Sequence, residues 1–254
     1  MSRIVVIGGT GLIGSKVVAR LTEHGHQAIA ASPNSGVNTL TGEGLAEVLS
    51  GADTVLDVSN SPSFADDDVM TFFTTATTNI IAAAKEATVG HYVALSVVGA
   101  DRMVDSGNMR AKVAQEKLIT DSGLPYSLVH ATQFFEFVKS IADSATVDDV
   151  VHLSDAWIQP MAADDVATAV ARTTAGNPLN RTIEVAGPEK FGLDDFVRTG
   201  LAFRGDPRPV IADPEATYFG EKLTADVLLP GADAVLFDTR FEAWLPANPV
   251  PASR

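Results

Sequence analysis

The 254-residue chain contains no cysteine. That excludes disulfides, thiolate metal ligands and a cysteine nucleophile, and it fits a reducing, cytoplasmic setting. Basic residues are few: 18 Lys and Arg stand against 32 Asp and Glu, a formal net charge of −14. None of the 18 falls between Leu21 and Ala84. A field of that sign repels phosphate backbones and anionic lipid, which argues against direct nucleic-acid binding. No apolar run approaches the roughly 18 residues that read as a membrane span. The start, MSRIVVIGG, reads as a strand rather than a signal region. A soluble protein acting on small molecules is expected, and a homo-oligomer is left open.

What is present suits a globular core, with 46% hydrophobic residues. A domain of this length buries roughly 70–75% of its unfolded surface. Short apolar runs (RIVVIGG, HQAIAA, TVLDVS, HYVALSVV, PYSLVHA) alternate with helical patterns over about 12–24, 67–88, 108–122 and 133–145. Continuous apolar strands between helices imply a parallel sheet covered on both faces, joined by right-handed crossovers. The expected class is therefore α/β with a doubly wound parallel sheet. Further on, ADDVATAVARTTA and GLDDFVRTGLAFRG read as helices and RTIEVAG as a strand, before Pro207, Pro209 and Pro214 break the pattern. The expectation is one domain over 1–254, with about 150–254 contributing a smaller substrate-side lobe.

The stretch VVIGGTGLIGSKVV places Gly8, Gly11 and Gly14 between the first strand and the first helix. Glycines there let the backbone turn sharply and approach a pyrophosphate, which the free amides and positive dipole end of the helix then hold. Thr10, Gly11, Leu12, Ile13 and Gly14 would surround it, and dinucleotide binding is favoured over a purely structural turn. An acidic residue about twenty positions past the loop would select NAD, yet none occurs from His24 to Gly42. Ser32, Asn34 and Ser35 stand instead where the ribose 2′ position belongs, although AASPNSG also reads as an ordinary Ser-Pro turn. NADP(H) is favoured over NAD(H).

Other candidates carry less. Asp66, Asp67 and Asp68 open a helix more naturally than they bind a metal, and His24 and His26 bracket a helix-ending glycine, so no metal site is expected. A G-x-S-x-G elbow is absent. Phe134, Phe135 and Phe137 serve equally as a pocket wall or as core, and His130 as a proton relay or as packing. Tyr218 could close over a substrate from the irregular C-terminal segment.

GGTGLIG, LSVVGADR, RAKVAQEKL, ATQFFEF and ADDVA together resemble an atypical short-chain dehydrogenase/reductase. Within that superfamily the chain most resembles the NmrA-like, NAD(P)H-binding branch that includes quinone and azo-dye reductase-like proteins. The resemblance spans most of the chain and implies a Rossmann fold and an NADPH-dependent oxidoreductase acting on a carbonyl, imine or quinone. It implies that Ser96 hydrogen-bonds a substrate carbonyl and that Lys112 holds the nicotinamide ribose. Asn108 falls at the position of the catalytic tyrosine and cannot act as its acid. Asp57, Val58 and Ser59 would line the cofactor, and Thr132, Gln133 and Phe134 would flank the nicotinamide, with His130, Phe134, Phe137 and Tyr218 toward the substrate. Asn108 and Lys112, four apart, share a helix face; a capping Asn and a solvated Lys are the plain alternative. The same resemblance admits a non-catalytic NADP(H)-sensing regulator.

Overall fold

The computed structural model describes residues 1–63 and 65–249. The first half alternates β1 (Arg3–Ile7), α1 (Leu12–Glu23), β2 (Gln27–Ala31), α2 (Leu45–Leu49), β3 (Thr54–Asp57), α3 (Asp66–Glu86), β4 (His91–Val97), α4 (Gly107–Asp121) and β5 (Tyr126–Ala131). It continues with α5 (Val138–Ser144), the short strands β6 (Thr146–Val147), β7 (Val150–Leu153) and β8 (Trp157–Ile158), then α6 (Ala163–Ala175) and β9 (Thr182–Ala186). Last come β10 (Phe191–Gly192), α7 (Leu193–Phe203), β11 (Val210–Ala212), β12 (Val235–Leu236) and α8 (Phe241–Ala247).

The main sheet runs β12-β9-β5-β4-β3-β1-β2, and every pairing in it is parallel. Successive residues of a strand point to opposite faces, and both faces are apolar here, as the continuous runs require. Ile4, Val6, Leu56, Val93 and Val129 pack under α1 and α6. Val5, Val55, Tyr92, Ala94 and Leu128 pack under α2, α3 and α4. This is the doubly wound Rossmann arrangement.

A smaller lobe has its own core, in which Phe135, Phe196, Phe241 and Trp244 are buried together. Beside them β6, β7 and β11 form one small sheet and β8 and β10 another. Both tryptophans, Trp157 and Trp244, belong to this lobe. The chain leaves the main sheet after β5 and returns to it through α6, β9 and β12, so the lobe is woven from several excursions.

Most helix limits fall within two residues of the pattern-based ones. The segment expected to be helical over 133–145 differs: its α-helix starts only at Val138. Met161 N donates to Gln133 O at 2.8 Å and Phe135 N donates to Met161 O at 2.9 Å. These strand-like bonds hold Phe134 extended, at φ −93° and ψ 145°, and only a tight turn over Phe135–Phe137 follows. No helix among the described residues is long and apolar enough to cross a membrane.

Candidate functional site

Because its strands are parallel, the main sheet gathers all their C-terminal ends along one edge. The chain runs outward from β1 to β2 and then back to β3 on the other side, which opens a crevice between β1 and β3. The glycine loop fills it. Gly8 has φ +79°, and a Cβ there would lie 2.9 Å from Ser59 Cα. At Gly14 a Cβ would overlap the carbonyl oxygen of Gly8 and come within 2.7 Å of Gly9 Cα. Helix α1 starts with Gly11 as N-cap, without a capping side chain and without an acidic residue in the first turn. The amides of its first turn have no partner within the helix. Thr10, Gly11 and Leu12 are exposed, whereas Ile13 and Gly14 are buried. Close backbone packing, free amides and no competing anion together fit a dinucleotide pyrophosphate.

At the end of β2, Ser32 is buried and its Oγ has no hydrogen-bond partner. The Ser35 hydroxyl is used locally, accepting from Ser32 N and donating to Ser32 O, both at 2.9 Å. Asn34 is exposed. Asp57 closes β3, but its carboxylate turns into the protein. It accepts from Ser59 N at 3.0 Å, Ser59 Oγ at 2.6 Å, Gln115 Nε2 at 2.9 Å and Tyr92 OH at 3.4 Å. Burial and the neighbouring carboxylate push the Tyr92 phenol well above its ordinary range. Val58 and Ser59 are half-buried at the strand end.

Ser106, not Asn108, holds the N-cap position of α4, and its hydroxyl makes no capping hydrogen bond. At Gly107, where α4 meets α3, a Cβ would meet the movable Asp66 carboxylate, which Arg110 pairs at 2.9 Å. From the lobe, Glu221 Oε2 accepts from Asp105 N at 2.7 Å and Ser106 N at 3.2 Å, binding the start of α4. Asn108 is half-buried and Lys112 is buried. The Lys112 ammonium donates to Leu95 O at 2.9 Å and to Gln115 Oε1, and it sits 4.5 Å from the centre of the Phe73 ring. Burial lowers its pKa to about 8, against the opposing pull of the Asp57 and Glu116 charges. Lys112 is therefore not a solvated lysine; it ties α4 to β4 and α3.

Ser96 and His130 are register partners on β4 and β5. Ser96 Oγ donates to Glu116 Oε1, and His130 Nε2 lies 3.0 Å from the same oxygen without hydrogen-bond alignment. Burial alone would raise the Glu116 carboxyl; His130, the Ser96 hydrogen bond and the Lys112 charge outweigh it and hold the carboxyl below its usual range. Beyond β5, Gln133 Nε2 donates to Tyr218 OH, joining sheet and lobe. Tyr218 is buried, which raises its phenol. Phe134 and Phe137 stack with centroids 5.2 Å apart, whereas Phe135 is fully buried in the lobe core. Thr132 Oγ1 is buried without a partner. Among the described residues no group of three or more His, Asp or Glu could hold a metal ion.

Several residues of this network escape a reading of the sequence. Glu116 continues the Asn108, Lys112 spacing by four more residues, a signal present in NMRAKVAQE. Gln115, Tyr92 and Glu221 give none, because their partners lie far away in the chain.

The profile of a family described as NAD(P)H-binding matches residues 8–175. The photosystem II assembly factor Ycf39 of Cyanophora paradoxa is 25% identical over 233 residues, covering 84% of this chain and 72% of that protein. Among solved structures, a nucleoside-diphosphate-sugar epimerase from Staphylococcus aureus superposes with a TM-score of 0.70 at 14% identity, covering 96% of this chain and 99% of the other. An NADPH-dependent quinone oxidoreductase from Escherichia coli, complexed with NADPH, gives a TM-score of 0.64 at 23% identity over 83% of this chain and 77% of the other. At these identities the structures show a shared fold.

Proposed function

The chain belongs to the NAD(P)H-binding family, and on that premise we propose that it is an NADPH-dependent oxidoreductase serving a small carbonyl, imine or quinone acceptor. The observation that carries the reading is the glycine cradle, packed so closely that Gly14 leaves no room for a side chain, beneath an uncapped helix start. Reduced nicotinamide supplies the hydride when bound. The chain's own residues do the rest. The first-turn amides of α1 hold the pyrophosphate, and the buried, unpartnered Ser32 hydroxyl offers a donor to a 2′-phosphate with no carboxylate from 24 to 42 to repel it. Ser96 orients the acceptor oxygen and Asn108 adds a polar contact. Gln133, Tyr218, Phe134 and Phe137 form the lobe-side wall. Lys112 acts from below, fixing the end of β4 through the Leu95 carbonyl.

A second reading, a non-catalytic NADP(H)-binding regulator, is favoured by one observation: the Lys112 ammonium is bound to protein groups beside an asparagine that cannot donate a proton as an acid. NADPH consumption with quinone, carbonyl and imine acceptors, run beside Asn108→Tyr, separates the two. Turnover by the unmodified chain supports the oxidoreductase, and the accepted class names the chemistry. Binding of NADPH without turnover by either protein supports the regulator. Tighter binding of NADH than NADPH would overturn the cofactor preference.

A further inference from the structure

If this site reduces its acceptor, a proton must reach the new anion, and the carboxamide of Asn108 is no acid. The structure offers another source two helical turns along the same face of α4. Asn108, Lys112 and Glu116 are spaced by four, so their side chains form one stripe toward the sheet. Glu116 meets Ser96 from β4 and approaches His130 from β5. Ser96 and Glu116 are hydrogen-bonded, and His130 Nε2 stands 3.0 Å from the same carboxylate oxygen, so the three lie in contact at the ends of β4 and β5. Ser96 is buried, while the His130 and Glu116 side chains keep 12% and 17% of their surface exposed. The set is therefore open to solvent at the edges of these two side chains, while the His130 Nε2 that faces Glu116 is itself buried.

We propose that Glu116 and His130 are positioning residues that deliver a proton to the acceptor through Ser96, in place of the acid missing at Asn108. This rests on the oxidoreductase reading. When the acceptor has gained hydride, the electron pair of its π bond rests on the heteroatom. The Ser96 O–H bond breaks and the acceptor's new O–H or N–H bond forms. Ser96 Oγ takes a proton passed on by the Glu116 carboxyl, which receives it from the His130 ring beside it, and the ring takes a proton from water in return. One hydride and one proton enter the product, and the three side chains end as they began.

The charged and titratable groups facing the set are Lys112 on α4 itself and Glu184 on β9. Glu184 is the register partner of His130, and its carboxylate accepts from Gly231 N at 2.5 Å. Neither supplies the missing link. The lysine is committed to Leu95 and Gln115, and Glu184 is turned to a loop amide.

Two measurements test the relay, one of them without cofactor. In the NADPH-free protein, the Glu116 carboxyl is titrated by its carbon NMR signal. His130→Gln should move the midpoint to higher pH, and an unchanged midpoint overturns the coupling and the relay. With NADPH and an accepted carbonyl substrate, Glu116→Gln and His130→Ala should each lose about 10²-fold or more in kcat, the scale of one general acid. NADPH affinity should be unchanged. Added imidazole should restore turnover to His130→Ala and not to Glu116→Gln, a pattern a packing role would not give. Full activity in both variants, or failure of imidazole to rescue, overturns the relay while leaving the oxidoreductase reading intact. NADPH binding without turnover of any acceptor by the unmodified chain overturns that reading, and the relay with it.

Discussion

Lys112 makes the stability of this protein rise with pH in a range where most proteins stay level or weaken. Its amine titrates at about 8 in the fold against an ordinary 10.5 in the unfolded chain. Below pH 8 both states carry the proton, and keeping the charge buried costs about 3 kcal/mol relative to the neutral amine. Between 8 and 10.5 the folded chain releases the proton first, so the unfolded state binds more protons and stability increases with pH. The gain reaches about 2 kcal/mol at about pH 9.5. Tyr92 and Tyr218 act oppositely at higher pH. Their folded-state values are raised, so the unfolded chain ionises them first and stability falls as pH climbs past about 10. Denaturant unfolding at steps from about pH 7.5 to 9.5 reads the effect, with Lys112→Met as the reference. The level at neutral pH is not the test, because Met removes the buried charge but also leaves Leu95 O and Gln115 without their donor, effects of similar size. The slope is the test. Parallel curves for the two proteins, within about 0.5 kcal/mol over that range, would refute a lysine charged and buried in this seam.

Other consequences are as direct. Gly14→Ala forces a Cβ into the Gly8–Gly9 backbone; it should cost about 1–3 kcal/mol of stability and weaken NADPH binding at least about tenfold, read by calorimetric titration. Ser32→Ala should cost about 1.5–3 kcal/mol of NADPH affinity, the worth of one hydrogen bond to a charged group, and leave NADH unchanged; equal losses for both cofactors would remove Ser32 from 2′-phosphate recognition. Glu221→Ala should destabilise the protein by about 0.5–2 kcal/mol, as loss of a helix cap does. Glu221→Gln, which keeps the acceptor oxygen, should cost less, and thermal unfolding distinguishes them.

How much of this was legible in the sequence follows from how local each feature is. Gly14 is crowded only by Gly8 and Gly9, so the glycine spacing already carried that part of the loop, whereas the approach of Gly8 to Ser59 becomes visible only in the fold. The covered parallel sheet was legible because apolar runs and helical periodicity are local as well. Lys112 shows the limit. Periodicity places it on the face of Asn108, yet the direction of its amine depends on Leu95, Gln115 and Phe73, which meet only when α3, α4 and β4 pack. Asp57 reads as part of a strand end lining the cofactor, and nothing near it in the chain shows that its carboxylate is bonded to Tyr92 and Gln115. The delayed start of α5 is likewise a long-range effect, imposed by Met161 on backbone that would otherwise favour a helix.

The two tryptophans give the fold a built-in spectroscopic division. Trp157 and Trp244 both lie in the smaller lobe, and none lies in the cofactor-binding sheet. Intrinsic tryptophan emission therefore watches one half of the molecule, while far-ultraviolet dichroism is dominated by the helices of the other. Recorded in the same denaturant series, the two signals should coincide if Gln133–Tyr218 and the Glu221 clamp make the halves a single cooperative unit. They should separate if the lobe opens first, turning an accident of composition into a reporter of cleft opening that needs no label.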